Sequence, residues 1–119
     1  MIAQIHAALA QSIVLFFLVC AVWAFVLHFR GQPLSSSFWG TVFLGEALFV
    51  AQIVLGIVMI AGGRTPTQFV HLLYGIVGTL VLPAAYGYLP RYRGRQALVL
   101  GVICLFLFGV ATRATGTGR

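Results

Sequence analysis

The chain has 119 residues, 61% of them hydrophobic and 7% charged, with a net charge of +6 and a mean hydropathy of +1.08. Soluble domains carry about 25% charged residues, so this composition excludes a water-covered surface and calls for lipid as the solvent. The cations are all arginine and lie beside or between apolar runs, where their work is anchoring and orientation rather than nucleic-acid binding.

A helical span needs roughly 20 apolar residues, and four such runs use nearly the whole chain. The first is expected over about residues 5–29 and closes at Arg30-Gly31-Gln32-Pro33, before the polar turn Ser35-Ser36-Ser37. The second covers about 38–60 and closes at Gly62-Gly63-Arg64. Thr65-Pro66-Thr67 predicts a helix start, and the third span follows over about 68–88, with Pro83 inside it as an expected kink. Leu89 to Arg95 is a basic loop carrying Arg91, Arg93 and Arg95. The fourth span covers about 96–114, and Thr115 to Arg119 reads as a polar tail. No extramembrane domain is expected. No basic segment precedes the first run, so no removable signal peptide is expected either.

Short connections make sequential helices antiparallel neighbours, so the expected fold is all-α, an integral membrane up-down four-helix bundle. One membrane side holds the N-terminus, the Arg64 loop and the C-terminus. The other holds Arg30 and the Arg91/Arg93/Arg95 cluster, which makes it the cytoplasmic side, with both termini outside.

His6 and His71 stand in the first turns of spans one and three and so share a depth near the outer side. Neighbouring helix axes lie about 8–10 Å apart, which puts diagonal axes roughly 12–14 Å apart. That gap suits a flat macrocycle held between two imidazoles, heme b above all. A zinc site would need further ligands that this depth lacks. Gly75 lies four residues after His71 and Gly78 three beyond it, on a face where small side chains leave room for a macrocycle. Arg64 and Arg113 stand at the same end, placed to pair with two propionates. The plain alternative is that the two histidines are interfacial residues bonded to backbone, in helices whose small residues serve packing. His28 lies at the opposite end beside Arg30, without a second histidine at its depth.

Glu46 is the only acidic residue. It sits roughly 12 Å below the surface at 1.5 Å per residue, and Thr79 or Tyr86 could reach it. Its expected role is a buried hydrogen bond inside the bundle or to a partner chain, with proton relay the alternative. Cys20 and Cys104 lie mid-span and read as buried apolar thiols rather than a metal pair or a surface disulfide. Trp23, Trp39, Tyr86, Tyr88 and Tyr92 read as interfacial aromatics.

Two stretches resemble the heme A synthase family. Gln52-Ile53-Val54-Leu55-Gly56, followed by a Gly/Pro loop and His71, is similar to the helix that precedes a heme-ligating helix in that family. Gly109-Val110-Ala111-Thr112-Arg113-Ala114-Thr115-Gly116-Thr117-Gly118 resembles its G-x-x-T-R-x-T-G-S-G signature. The resemblance implies a half-length, permuted four-helix unit with His6 and His71 as axial heme ligands near the outer face. It departs from the family at Ala3, where a Glu typically precedes the first heme histidine, and at Ala7, where an Arg commonly follows. The cysteine-bearing outer loop of many members is missing as well. The resulting expectation is a b-type heme protein acting as a subunit of a respiratory or photosynthetic electron-transfer complex, in a bacterial or archaeal plasma membrane. Its partners are lipid and other membrane subunits or a second copy of itself. Two alternatives stand beside it: a structural or assembly subunit without a cofactor, or with a chlorophyll-type pigment on one histidine, and a half-size heme A synthase-like enzyme.

Overall fold

The computed structural model describes residues 1–66 and 68–118. Four helices carry the chain: α1 (Ile2–Phe29), α2 (Ser36–Ala61), α3 (Val70–Tyr88) and α4 (Gln96–Thr117). All four are long and apolar enough to cross a membrane, and the molecule is 49 Å along its longest axis. That length matches a bilayer of about 40–45 Å with its headgroup layers. The protein is an integral membrane four-helix bundle. Each helix packs on its two chain neighbours and α1 closes on α4, so α1 faces α3 across the diagonal.

The helices are apolar on every side, so which face turns inward must come from shape rather than from an amphipathic stripe. Three glycine–phenylalanine contacts do this work. A Cβ built on Gly45 of α2 would lie 2.7 Å from Phe17 of α1, and one on Gly101 of α4 would lie 2.9 Å from Phe25 of α1. One on Gly78 of α3 would collide with the ring of Phe49 of α2. Each phenyl ring therefore fills a notch that only glycine leaves open. The core formed this way runs along α1 and α4, whose spans are 33% and 39% buried, against 11% for α2 and 17% for α3. Leu15, Val19, Ile57 and Leu80 are among the residues whose side chains stay exposed and face lipid.

The helix ends differ from the sequence expectation in instructive ways. The polar tail expected from Thr115 is helical as far as Thr117. Hydroxyl groups find acceptors within the helix itself, Thr112 on the Phe108 carbonyl at 2.8 Å and Thr115 on the Thr112 carbonyl at 2.6 Å, so these threonines continue a span without exposing unsatisfied groups. The third helix begins at Val70 rather than Gln68; Thr67, in the expected start signal, lies outside the described residues. The helix continues through Pro83. Residues 89–92 of the basic loop form a single 3-10 turn. Gly63 adopts a φ of +90° and lets the Arg64 N–H reach back to the Met59 carbonyl at 2.9 Å, which closes α2 with satisfied carbonyls. Trp23, one of the aromatics that read as interfacial, is half-buried and stands edge-on to the fully buried Phe38 at 5.3 Å. Cys20 and Cys104 are free, fully buried thiols that meet where α1 packs on α4.

Candidate functional site

His6 and His71 meet across the diagonal. Their ring centroids are 6.1 Å apart and their planes are inclined by 71°. Antiparallel order sets the shared depth, because spans one and three both start from the same side. The imidazole side chains close the rest of the distance between two helices whose backbones do not pack on each other.

Each histidine is held by a neighbouring helix. His71 Nδ1 lies 3.0 Å from the Ala114 carbonyl oxygen and 3.3 Å from the Thr117 hydroxyl. A carbonyl only accepts, so Nδ1 donates in this contact, and in the neutral ring Nε2 then keeps the lone pair. The extra turn of α4 supplies this contact, and it is tied to the entry of α3 by the Gln68 N–H donating to the Thr117 carbonyl at 3.3 Å. Gly118 closes over the same ring: a Cβ there would lie 2.6 Å from His71 Cε1. On the other side, the Gln52 side-chain amide donates to the His6 carbonyl at 2.9 Å. His6 Nδ1 and Gln52 Oε1 are both buried without a hydrogen-bond partner among the described residues. Gln52 belongs to the Q-x-x-L-G stretch, but its tether to His6 had no sequence signal of its own.

The histidines border a cavity of about 560 Å³. Its wall is mostly apolar, and eight of its residues are alanine or glycine: Ala3, Ala7, Ala10, Gly56, Gly75, Ala111, Ala114 and Gly118. Gly75 therefore lines the space, as its spacing from His71 suggested. Gly78 does not border it; its notch is filled by Phe49, and Phe49 itself forms part of the cavity wall. Arg64 and Arg113 are exposed at this end of the bundle and lie outside the cavity lining. Among the described residues, no three His, Cys, Asp or Glu side chains come together, so a closed three- or four-ligand metal site has no donor set here.

His28 sits at the far end of α1, its ring 5.4 Å from that of Phe29. Glu46 lies toward that far half of α2, about 9 Å along the helix from Gln52 at 1.5 Å per residue. It shares a second cavity with Tyr86, while Thr79 donates instead to the Gly75 carbonyl at 2.9 Å. Glu46 Oε2 is buried and has no hydrogen-bond partner among the described residues.

No protein-family model, no curated protein and no solved structure matches this chain.

Proposed function

We propose that this protein is a small membrane heme protein, in which His6 and His71 would hold a heme b. The observation that carries the reading is the 6.1 Å approach of the two imidazoles. Two imidazoles bound to one metal, with bonds of about 2 Å and each nitrogen about 1 Å from its ring centre, have centroids about 6 Å apart. The surroundings fit the group. The cavity of about 560 Å³ falls within the range of small-molecule sites, about 300–1,000 Å³. Its alanine and glycine walls leave flat space beside the rings. The Nδ1 bond to the Ala114 carbonyl orients His71 as second contacts orient metal-bound histidines. The unpartnered His6 Nδ1 and Gln52 Oε1 form a donor–acceptor pair that a small turn of the Gln52 amide would join. Arg64 and Arg113, free to move at the exposed rim, would meet the propionates.

Heme b supplies one-electron transfer when bound. The chain's own residues would hold it, through His6 and His71, and keep water from it through a mostly apolar wall. Ala3 lines the cavity where the similar family typically carries a Glu, and none of the lining residues carries a carboxyl, so with His6 and His71 engaged by the heme the site would have no carboxylate for proton transfer. That favours electron transfer over a synthase reaction. The outer faces of α2 and α3 remain mostly exposed, and other membrane subunits or a second copy would cover them, beside lipid. The protein would lie in a bacterial or archaeal plasma membrane, with both termini outside and the Arg30 and Arg91/Arg93/Arg95 loops in the cytoplasm.

The test is a reduced-minus-oxidised spectrum of the protein purified with its native partners. The expected result is a b-type signal that His6→Ala or His71→Ala abolishes and His28→Ala keeps. A heme-free preparation, or a signal untouched by both cavity substitutions, would overturn the assignment.

A further inference from the structure

A second cavity, of about 280 Å³, opens between α2 and α3 in the other half of the membrane span. Trp39, Phe43 and Glu46 line it from α2, Pro83 and Tyr86 from α3, and Leu100 of α4 forms its floor. Three features define what it can take. The first is the aromatic wall. The Trp39 and Tyr86 rings meet edge-on at 5.5 Å, and Phe43 stands 6.1 Å from Trp39 and 6.3 Å from Tyr86. Such a cluster offers faces and edges to one more flat ring. The second is Glu46. Its Oε2 is buried with no hydrogen-bond partner among the described residues, a costly state for a polar atom at membrane depth. A carboxyl donates to a carbonyl when protonated and accepts from a hydroxyl when ionised. The third is size and place. The volume lies at the lower edge of small-molecule pockets, about 300–1,000 Å³, so it takes a single substituted ring and not a macrocycle. It runs from Trp39 in the first turn of α2 to Glu46 two turns deeper, between two spans that lie in lipid, a place open to an amphiphilic ligand carried by the membrane.

We infer that this cavity binds the headgroup of a membrane-soluble quinone or quinol, with Glu46 as the polar anchor and the Trp39–Phe43–Tyr86 cluster as the ring platform. A quinone carbonyl accepts from the protonated carboxyl and a quinol hydroxyl donates to it, so one residue serves both oxidation states. The inference concerns binding alone and does not depend on heme in the larger cavity.

The experiment uses the full chain in lipid nanodiscs with an azido-substituted, short-tailed benzoquinone, mapped after photolysis. Label is expected on the segments 39–46 and 82–86. In parallel, quenching of Trp39 fluorescence by the unmodified benzoquinone is read in a Trp23→Phe background, which leaves one indole. Glu46→Leu should weaken binding about tenfold, the loss of one anchoring hydrogen bond, whereas Glu46→Gln, which still donates and accepts, should stay within about threefold of wild type. Labelling of the unsubstituted Glu46 protein keeps the test informative even where Glu46→Leu folds poorly. Label confined to the His6/His71 cavity, label spread over the lipid-facing surface, or equal affinity in a folded Glu46→Leu protein would overturn the inference. A chain without heme that still labels at Glu46 removes the heme reading alone, and a heme-loaded chain that does not label there removes this one alone.

Discussion

Replacing Gly118 with alanine puts a methyl group against the ring of His71. The new Cβ would lie 2.6 Å from Cε1, 2.9 Å from Nδ1 and 3.1 Å from Nε2. Carbon atoms do not approach that closely, so the ring must turn away. The backbone itself tolerates alanine, since φ at Gly118 is −85°. Turning the ring breaks its 3.0 Å bond to the Ala114 carbonyl, a loss of about 0.5–1.5 kcal/mol. With the repacking that follows, the expected destabilisation is about 1–2 kcal/mol. The same shift moves the His71 ring away from its present approach to His6, so heme affinity should fall about tenfold, the equivalent of 1.4 kcal/mol. Gly116 provides the matched control. It lies in the same helix, but a Cβ there meets nothing within 4 Å, and alanine should gain about 0.5–1 kcal/mol of helix stability. Thermal unfolding by circular dichroism reads the first effect, and heme titration of the apoprotein reads the second. Equal midpoints and equal heme affinities for the two variants would refute the claim that α4 positions His71.

Two further substitutions probe the opposite histidine and the packing. Gln52→Leu removes one hydrogen bond to the His6 carbonyl together with an already unpaired oxygen, so stability should change by less than about 1 kcal/mol. Heme retention, followed spectrally during dilution, should nevertheless fall several-fold; unchanged retention would remove Gln52 from the site. Gly45→Ala drives a Cβ to 2.7 Å from Phe17 and 2.9 Å from Phe16, and Phe17 is fully buried with nowhere to go. The expected cost is about 1–3 kcal/mol in a denaturant titration in detergent. Gly40→Ala in the same helix, which meets nothing within 4 Å, should be neutral or stabilising, and a similar loss in both would count against the notch-and-ring account.

Some of this site was legible in the residues and some was not. His6 and His71 could be paired because span order alone sets depth: two parallel spans that start on one side bring their first turns level. Gly75 could be placed because four residues make one turn. Gly78 could not, since spacing says that a small residue faces inward and not what fills the space, and here it is Phe49. Glu46 could be assigned its depth but not its companions, because Tyr86 comes from a helix whose rotation no local pattern sets. The end of α4 was read as a polar tail because its threonines look like loop residues. Their hydroxyls bond back to the helix, and the turn is tied to α3 through Thr117 and His71.

By itself, the amino-acid sequence determined how many times the chain crosses the membrane, the antiparallel order of the spans, and which residues lie at each depth. Length and hydropathy suffice for that, because hydrocarbon admits only helices and closed barrels, whose backbones are satisfied internally, and apolar runs of about 20 residues fit the helix. Tertiary structure decided the rotation of each helix. A span that is apolar on all sides carries no record of its inner face. The fit of Phe17, Phe25 and Phe49 into the notches of Gly45, Gly101 and Gly78 supplies that choice, because close-packed contacts lose about a quarter to a half of their attraction with a gap of roughly 0.5–1 Å. Those rotations bring two imidazoles to 6.1 Å and set Glu46 and Tyr86 around one cavity.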